Sequence, residues 1–182
     1  MKYLARFIMW LGGWRCKGDV PAVKKAVIIS VPHTSNWDFF WGELTFLSKG
    51  VPAFILMKKE LFFFPLGAIL RALHVIPVDR GNKDNQLVEH LVAEFNKRDE
   101  MYLCITPEGS RKKRKKWKKG FLMIALEAGI PIHLGRIDYK DKYCTVGPLF
   151  HPTGDVEADL KYIMSTYRDA NPNHPENFSC GD

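Results

Sequence analysis

The chain has 182 residues, a formal net charge of +7 and 46% hydrophobic residues, the profile of one globular domain with a sizeable core. Much of the positive excess sits in one run at 111–119, so an anionic partner is expected, and charge alone does not choose between nucleic acid, an anionic bilayer surface and a phosphorylated substrate. The four cysteines, Cys16, Cys104, Cys144 and Cys180, are far apart and form no CxxC pair, which argues against a zinc site or a dense disulfide framework and for a reducing cytosolic compartment.

The first 18 residues form an amphipathic segment. Tyr3, Leu4, Phe7, Ile8, Trp10, Leu11 and Trp14 lie close together among Lys2, Arg6 and Arg15. The segment is too short and too interrupted for the roughly 18–20 apolar residues that span a bilayer, and it lacks a signal-peptide cleavage site. It either lies in a membrane interface or packs its aromatic side on the domain.

Strand-length apolar runs then alternate with stretches of helical period. AVIISV at 26–31 reads as a strand, 37–48 as a helix, AFILM at 53–57 as a strand, 62–73 as an apolar helix, and HVIPV at 74–78 as a short strand. Over 84–97, Leu87, Val88, Leu91, Val92 and Phe95 recur at spacings of three and four, which predicts an amphipathic helix with Asp84 as N-cap. MYLCIT at 101–106 reads as a strand, FLMIALEA at 121–128 as a helix closed by Gly129, and PIHLGRI at 131–137 as a strand. Edge-type strands are expected at 143–146 and 149–150, and a last helix over 155–169 with Leu160, Ile163, Met164 and Tyr167 inward. The alternation predicts an α/β fold: a single domain over 19–170, with a mostly parallel central sheet flanked by helices, and a flexible tail over 171–182.

Three stretches carry possible chemistry. In HTSNWD, His33 and Asp38 follow the first sheet strand. Five residues apart, they diverge on a regular helix and face opposite sides of a strand, so they meet only across a turn. Thr34, Ser35 and Asn36 supply turn residues, and Asp38 then falls in a first helical turn, able to orient the imidazole as a general base. An isolated HxxxxD also reads as a helix cap beside a buried histidine. In PEGSRKKRKKWKKG, Arg111 is read as close to a helix N-terminus, suited to a phosphate, although a Lys-rich run also fits a solvated loop. With Trp117 interleaved, it fits a nucleic-acid patch as well. In VIPVDRGN, Arg80 leaves a strand through an ordinary turn sequence. Three strands thus deliver a His–Asp pair and two arginines at their C-terminal ends, where parallel sheets gather sites.

Together these blocks resemble the glycerolphosphate acyltransferase family. HTSNWD is similar to its HxxxxD block, MKKELFFFPLGAILRALHVIPVDRGN to its second block, TPEGSR to its EGTR-like third block with serine for threonine, and GIPI at 129–132 to its fourth. The resemblance spans about 27–132. It implies an O-acyltransferase of phospholipid biosynthesis that moves a fatty acyl group from acyl-CoA or acyl carrier protein to a hydroxyl of a phosphate-bearing lysolipid, with 1-acyl-glycerol-3-phosphate first among acceptors. His33 and Asp38 would be catalytic. Arg80, Glu108, Gly109, Ser110 and Arg111 would hold the acceptor phosphate, with Lys58 a further candidate, and Pro131 would shape the acyl-donor side. No metal or cofactor is implied beyond the thioester co-substrate. Partners would be the donor, the lysolipid and an anionic membrane surface, not nucleic acid, and the location cytoplasmic, peripheral on the inner face of the membrane.

Two departures stand out: there is no transmembrane hairpin before the first block, and HLGRIDY follows GIPI, so that His133 and Arg136 add polar groups and leave other acceptors open. A thioesterase reading lacks a GxSxG elbow.

Overall fold

The computed structural model describes residues 1–19, 22–78 and 84–181, with 84–86 described in backbone only. In chain order the elements are α1 (Lys2–Leu11), β1 (Arg15–Lys17), β2 (Lys25–Val31), α2 (Trp37–Lys49), β3 (Ala53–Lys58), a 3-10 turn (Lys59–Leu61), α3 (Leu66–Ala72), β4 (Val75–Val78), α4 (Asp84–Lys97), β5 (Met101–Ile105), α5 (Gly120–Glu127), β6 (Ile132–Asp138), β7 (Tyr143–Thr145), β8 (Leu149–Phe150) and α6 (Val156–Ser165), with a last 3-10 turn at Pro175–Asn177.

The strands form one sheet in the order β1-β7-β6-β2-β5-β3-β4, with β8 beside β6. From β6 to β4 all neighbours are parallel. Strands β7 and β8 run antiparallel to β6, and β1 closes that edge alongside β7. A central parallel strand is covered on both faces and must be apolar throughout. Strand β2 meets that requirement: Val27, Ile29 and Val31 enter the core made with α4, α5 and α6, whereas Ala26 and Ile28 enter the one beneath α2. Helices α1 and α2 cover this second face, where Ala5, Met9, Trp14 and Leu44 pack with Ile137 and Cys144.

The α/β architecture with a mostly parallel, helix-flanked sheet is as expected, and helix 84–97 is found as read, with Asp84 its first helical residue rather than its cap. Helix α5 is followed by Gly129 at φ 62°, the left-handed conformation expected of a helix-ending glycine. Three features differ. The helix expected over 62–73 forms only from Leu66, because Pro65 sits at its entrance and has no N–H to continue a turn from Phe62. Residues 15–17 are a sheet strand rather than part of the N-terminal segment, and because they cover β7, that strand is not at the edge. Residues 171–181, read as a flexible tail, lie against the body: Phe178 and Cys180 pack on the main core, and Ser179 is buried.

Helix α1 buries the small or flexible Ala5 and Met9 and leaves Tyr3, Leu4, Phe7, Trp10 and Leu11 exposed, Trp10 to 71%. Among the described residues no helix is long and apolar enough to cross a membrane.

Candidate functional site

Strand β2 ends at Val31, and His33 to Asn36 turn the chain into α2. Asn36 makes no side-chain cap. Asp38, in the first helical turn, folds the preceding residues onto itself: its Oδ2 accepts from the backbone N–H of Thr34 and of Ser35, each at 2.7 Å. The same Oδ2 is 3.3 Å from His33 Nδ1. Asp38 is thus both a turn organiser and the imidazole's partner. It is buried, and its other oxygen, Oδ1, accepts from the Tyr139 hydroxyl at 2.6 Å. A carboxylate removed from water needs such a complement of donors.

The second part of the site comes from β5, which pairs with β2 so that Ile29 lies opposite Ile105 and the next loop emerges beside His33. Glu108 leads this loop, and its Oε1 accepts from the His33 N–H at 2.8 Å. It is 7% exposed, and its Oε2 is buried without a hydrogen-bond partner among the described residues. Burial, foremost, and the nearby Asp38 carboxylate push the Glu108 carboxyl up to about 8, against the lowering effect of the His33 amide. Glu108 therefore anchors the His33 backbone and does not face outward as a phosphate ligand would; a buried carboxyl is poorly suited to an anion. Gly109 turns the chain at φ 67°, its N–H donating to Thr106 O at 3.0 Å.

The basic run is a loop pinned at its far end. Lys118 N–H donates to Pro107 O at 2.8 Å, and Lys119 pairs with Glu157. Trp117 is 4% exposed, packs against Tyr167, and donates from Nε1 to Ser179 O at 3.1 Å. It is a core residue and offers no face for a base to stack on. Helix α5 does not begin until Gly120, so Arg111 is an exposed loop residue outside the helix's first turn, contrary to the sequence reading. The Ser110 hydroxyl accepts from Lys112 N at 3.2 Å and donates to Lys112 O at 3.1 Å.

Lys58 ends β3 and is exposed on the same sheet edge as His33, two strands away. Strand β4 ends at Val78 on that edge, and Arg80 lies outside the described residues. Pro131 is at the opposite edge: its carbonyl accepts from Val27 N, near the start of β2. At about 3.3 Å per residue, this places it on the order of 20 Å from His33, so it does not border the His–Asp pair. His133 is buried in β6, with Nδ1 donating to Gly147 O at 2.9 Å. Arg136 ties β6 to the chain after α6, through Thr166 O and Asp169 at 2.8 Å. Neither enters the pair's surroundings by any contact described.

Tyr139 was missed by the sequence reading. It follows β6, the other parallel neighbour of β2, and the C-terminal end of that strand was the signal available. Burial and, next, the hydrogen bond to Asp38 push its phenol well above the ordinary tyrosine range, so it remains a donor. The C-terminal segment closes nearby: Tyr139 N donates to Asn171 O at 2.9 Å, and His174 N to Thr34 Oγ1 at 3.2 Å. Among the described residues no group of three or more His, Cys, Asp or Glu could hold a metal ion.

Comparison with known proteins bears on the family and the fold. The Acyltransferase family model matches residues 15–133. Among solved structures, the crystal structure of the 1-acyl-sn-glycerophosphate (LPA) acyltransferase PlsC from Thermotoga maritima is similar with a TM-score of 0.62 at 19% identity, covering 92% of this chain and 78% of that one. No curated protein matches.

Proposed function

The chain belongs to the Acyltransferase family, and on that premise we propose that it moves a fatty acyl group from an acyl thioester, carried by CoA or acyl carrier protein, to a hydroxyl of a phosphate-bearing lysolipid, with 1-acyl-glycerol-3-phosphate as the first candidate acceptor. The observation that carries the reading is the His33 Nδ1 to Asp38 Oδ2 contact of 3.3 Å at the C-terminal end of a central parallel strand. With Nδ1–H donating to Asp38, the ring's acceptor is Nε2. His33 Nε2 takes the proton of the acceptor hydroxyl as its oxygen attacks the thioester carbonyl; the tetrahedral adduct collapses, and the thiolate leaves with that proton. Asp38 fixes the tautomer and stabilises the imidazolium.

Arg80, Arg111, Ser110 and Lys58 are proposed to bind the acceptor phosphate. Gly109 supplies the turn that presents the loop, and Glu108 steadies His33 from behind. Guanidinium groups suit this task because they bind phosphate through paired, charge-assisted hydrogen bonds. The exposed aromatic face of α1 and the basic loop support peripheral contact with an anionic membrane at its cytoplasmic surface. Phe64, 90% exposed after β3, adds an apolar group near the sheet edge that carries His33.

The test is thiol release from acyl-CoA and acyl carrier protein against a panel of acceptors. Release that depends on 1-acyl-glycerol-3-phosphate supports the reading, dependence on another lysolipid changes the acceptor, and release without any acceptor, yielding free fatty acid, would make the chain a thioesterase.

A further inference from the structure

We propose that Tyr139 is a positioning residue for the His33–Asp38 pair and that Trp14 clamps it there, so that the seating of helix α1 is felt at the pair; this rests on the acyl-transfer reading above.

The geometry divides the Asp38 carboxylate between two tasks. Oδ2 faces the two turn amides and His33 Nδ1. Among the described residues, the donor to Oδ1 is the Tyr139 hydroxyl, at 2.6 Å. Two amide hydrogen bonds and the imidazole contact all fall on one oxygen, which leaves the carboxylate plane free to rock about that atom. The phenol's hydrogen bond to the other oxygen fixes the plane and with it the direction in which Oδ2 meets the imidazole. A ring nitrogen 3.3 Å away has little margin, since hydrogen bonds weaken steeply with distance and misalignment.

Tyr139 is itself held on two sides. Its backbone N–H donates to Asn171 O, and Trp14 meets its ring edge-on, with centroids 5.0 Å apart and planes at 88°. This is the favourable T-shaped arrangement. Trp14 is buried, stacks on Trp41 of α2 at 4.6 Å, and its backbone N–H donates to Met9 O at 2.8 Å, which ties it to the last turn of α1. A continuous set of contacts thus runs from α1 through Trp14 and Tyr139 to Asp38 and His33. The exposed apolar side chains of α1 lie at its outer end.

The test is a double-mutant cycle on turnover. Tyr139→Phe removes only the hydroxyl and should lower kcat about tenfold or more, the rate equivalent of one hydrogen bond to a charged group. KM for thioester and acceptor should stay within about twofold, because the phenol touches neither. In an Asp38→Asn background the same substitution should change residual turnover by less than about twofold, since its effect is transmitted through Asp38. Trp14→Leu should lower kcat several-fold in the parent chain and not further in Tyr139→Phe. Independently of turnover, the nitrogen chemical shifts of the His33 imidazole, read through its carbon-bound protons, should move in Tyr139→Phe. Full kcat in a folded Tyr139→Phe chain, an undiminished loss in the Asp38→Asn background, an effect confined to KM, or unmoved imidazole shifts would each overturn the proposal. Full turnover in Asp38→Asn or His33→Ala would instead remove the acyl-transfer reading of the pair, and the inference with it, before Tyr139 is changed.

Discussion

Replacing Glu108 by glutamine should flatten the pH dependence of stability. In the folded chain burial holds this carboxyl at about 8, against an ordinary value of 4.5, so the folded state binds its proton more tightly than the unfolded state does. Below 4.5 both states carry the proton and the contribution is complete. Between 4.5 and about 8 only the unfolded chain releases it, and stability falls as pH rises; above that range the loss is complete. At 1.36 kcal/mol per pH unit, a window of about 3.5 pH units sets a ceiling near 5 kcal/mol, with roughly 3 kcal/mol gone by pH 7. Glu43, whose carboxyl burial raises to about 7, adds a smaller loss between 4.5 and about 7, so the informative quantity is the difference between variants. Glutamine keeps an acceptor for the His33 N–H and cannot ionise. Denaturant unfolding of parent and Glu108→Gln between pH 4 and 9, with unchanged m-values, should give curves that converge or cross as pH rises, the parent losing several kcal/mol more than the variant. Parallel curves would refute the buried, protonated state of Glu108.

Arg111→Ala should raise the acceptor KM about tenfold or more, the worth of a charge-assisted hydrogen bond, with the thioester KM unchanged; equal effects on both would contradict a phosphate-binding role. The pair Phe7→Asp and Trp10→Asp should sharply reduce co-sedimentation with anionic vesicles while leaving the thermal midpoint within a few degrees, because both side chains are exposed. Trp117→Ala should cost about 3–5 kcal/mol in denaturant unfolding, as a large buried aromatic does. Were Trp117 instead a nucleic-acid platform, stability would hold and oligonucleotide binding would fall.

The architecture was legible because the apolar runs are unambiguous where both faces are covered: β2 and β5 are read almost to the residue. Helix α4 was legible from its period alone. The His33–Asp38 contact could be reasoned from a turn between a strand and a helix, although the agents that close that turn, the Thr34 and Ser35 amides on Asp38, belong to no side-chain pattern. Strand β1 escaped notice because three residues, RCK, carry no period. Glu108 was misassigned because a motif shows which residues travel together, not which way each faces; its burial is set by the neighbouring strand. Where Pro131 lies was not legible from its block: a parallel strand starts at one edge of the sheet and ends at the other, so a residue near the start of β6 is far from His33. Tyr139 needed the order of the strands, which sequence spacing does not contain.

Acyl transfer by the proposed route requires His33 to act as the base that activates a lysolipid hydroxyl. The most direct measurement is steady-state thiol release from an acyl thioester with 1-acyl-glycerol-3-phosphate present or absent, in the parent chain and in His33→Ala. Acceptor-dependent release is expected in the parent, with a fall of at least about a hundredfold in a variant of unchanged secondary structure, in line with the usual worth of general-base catalysis. Undiminished release in a folded His33→Ala chain would contradict it.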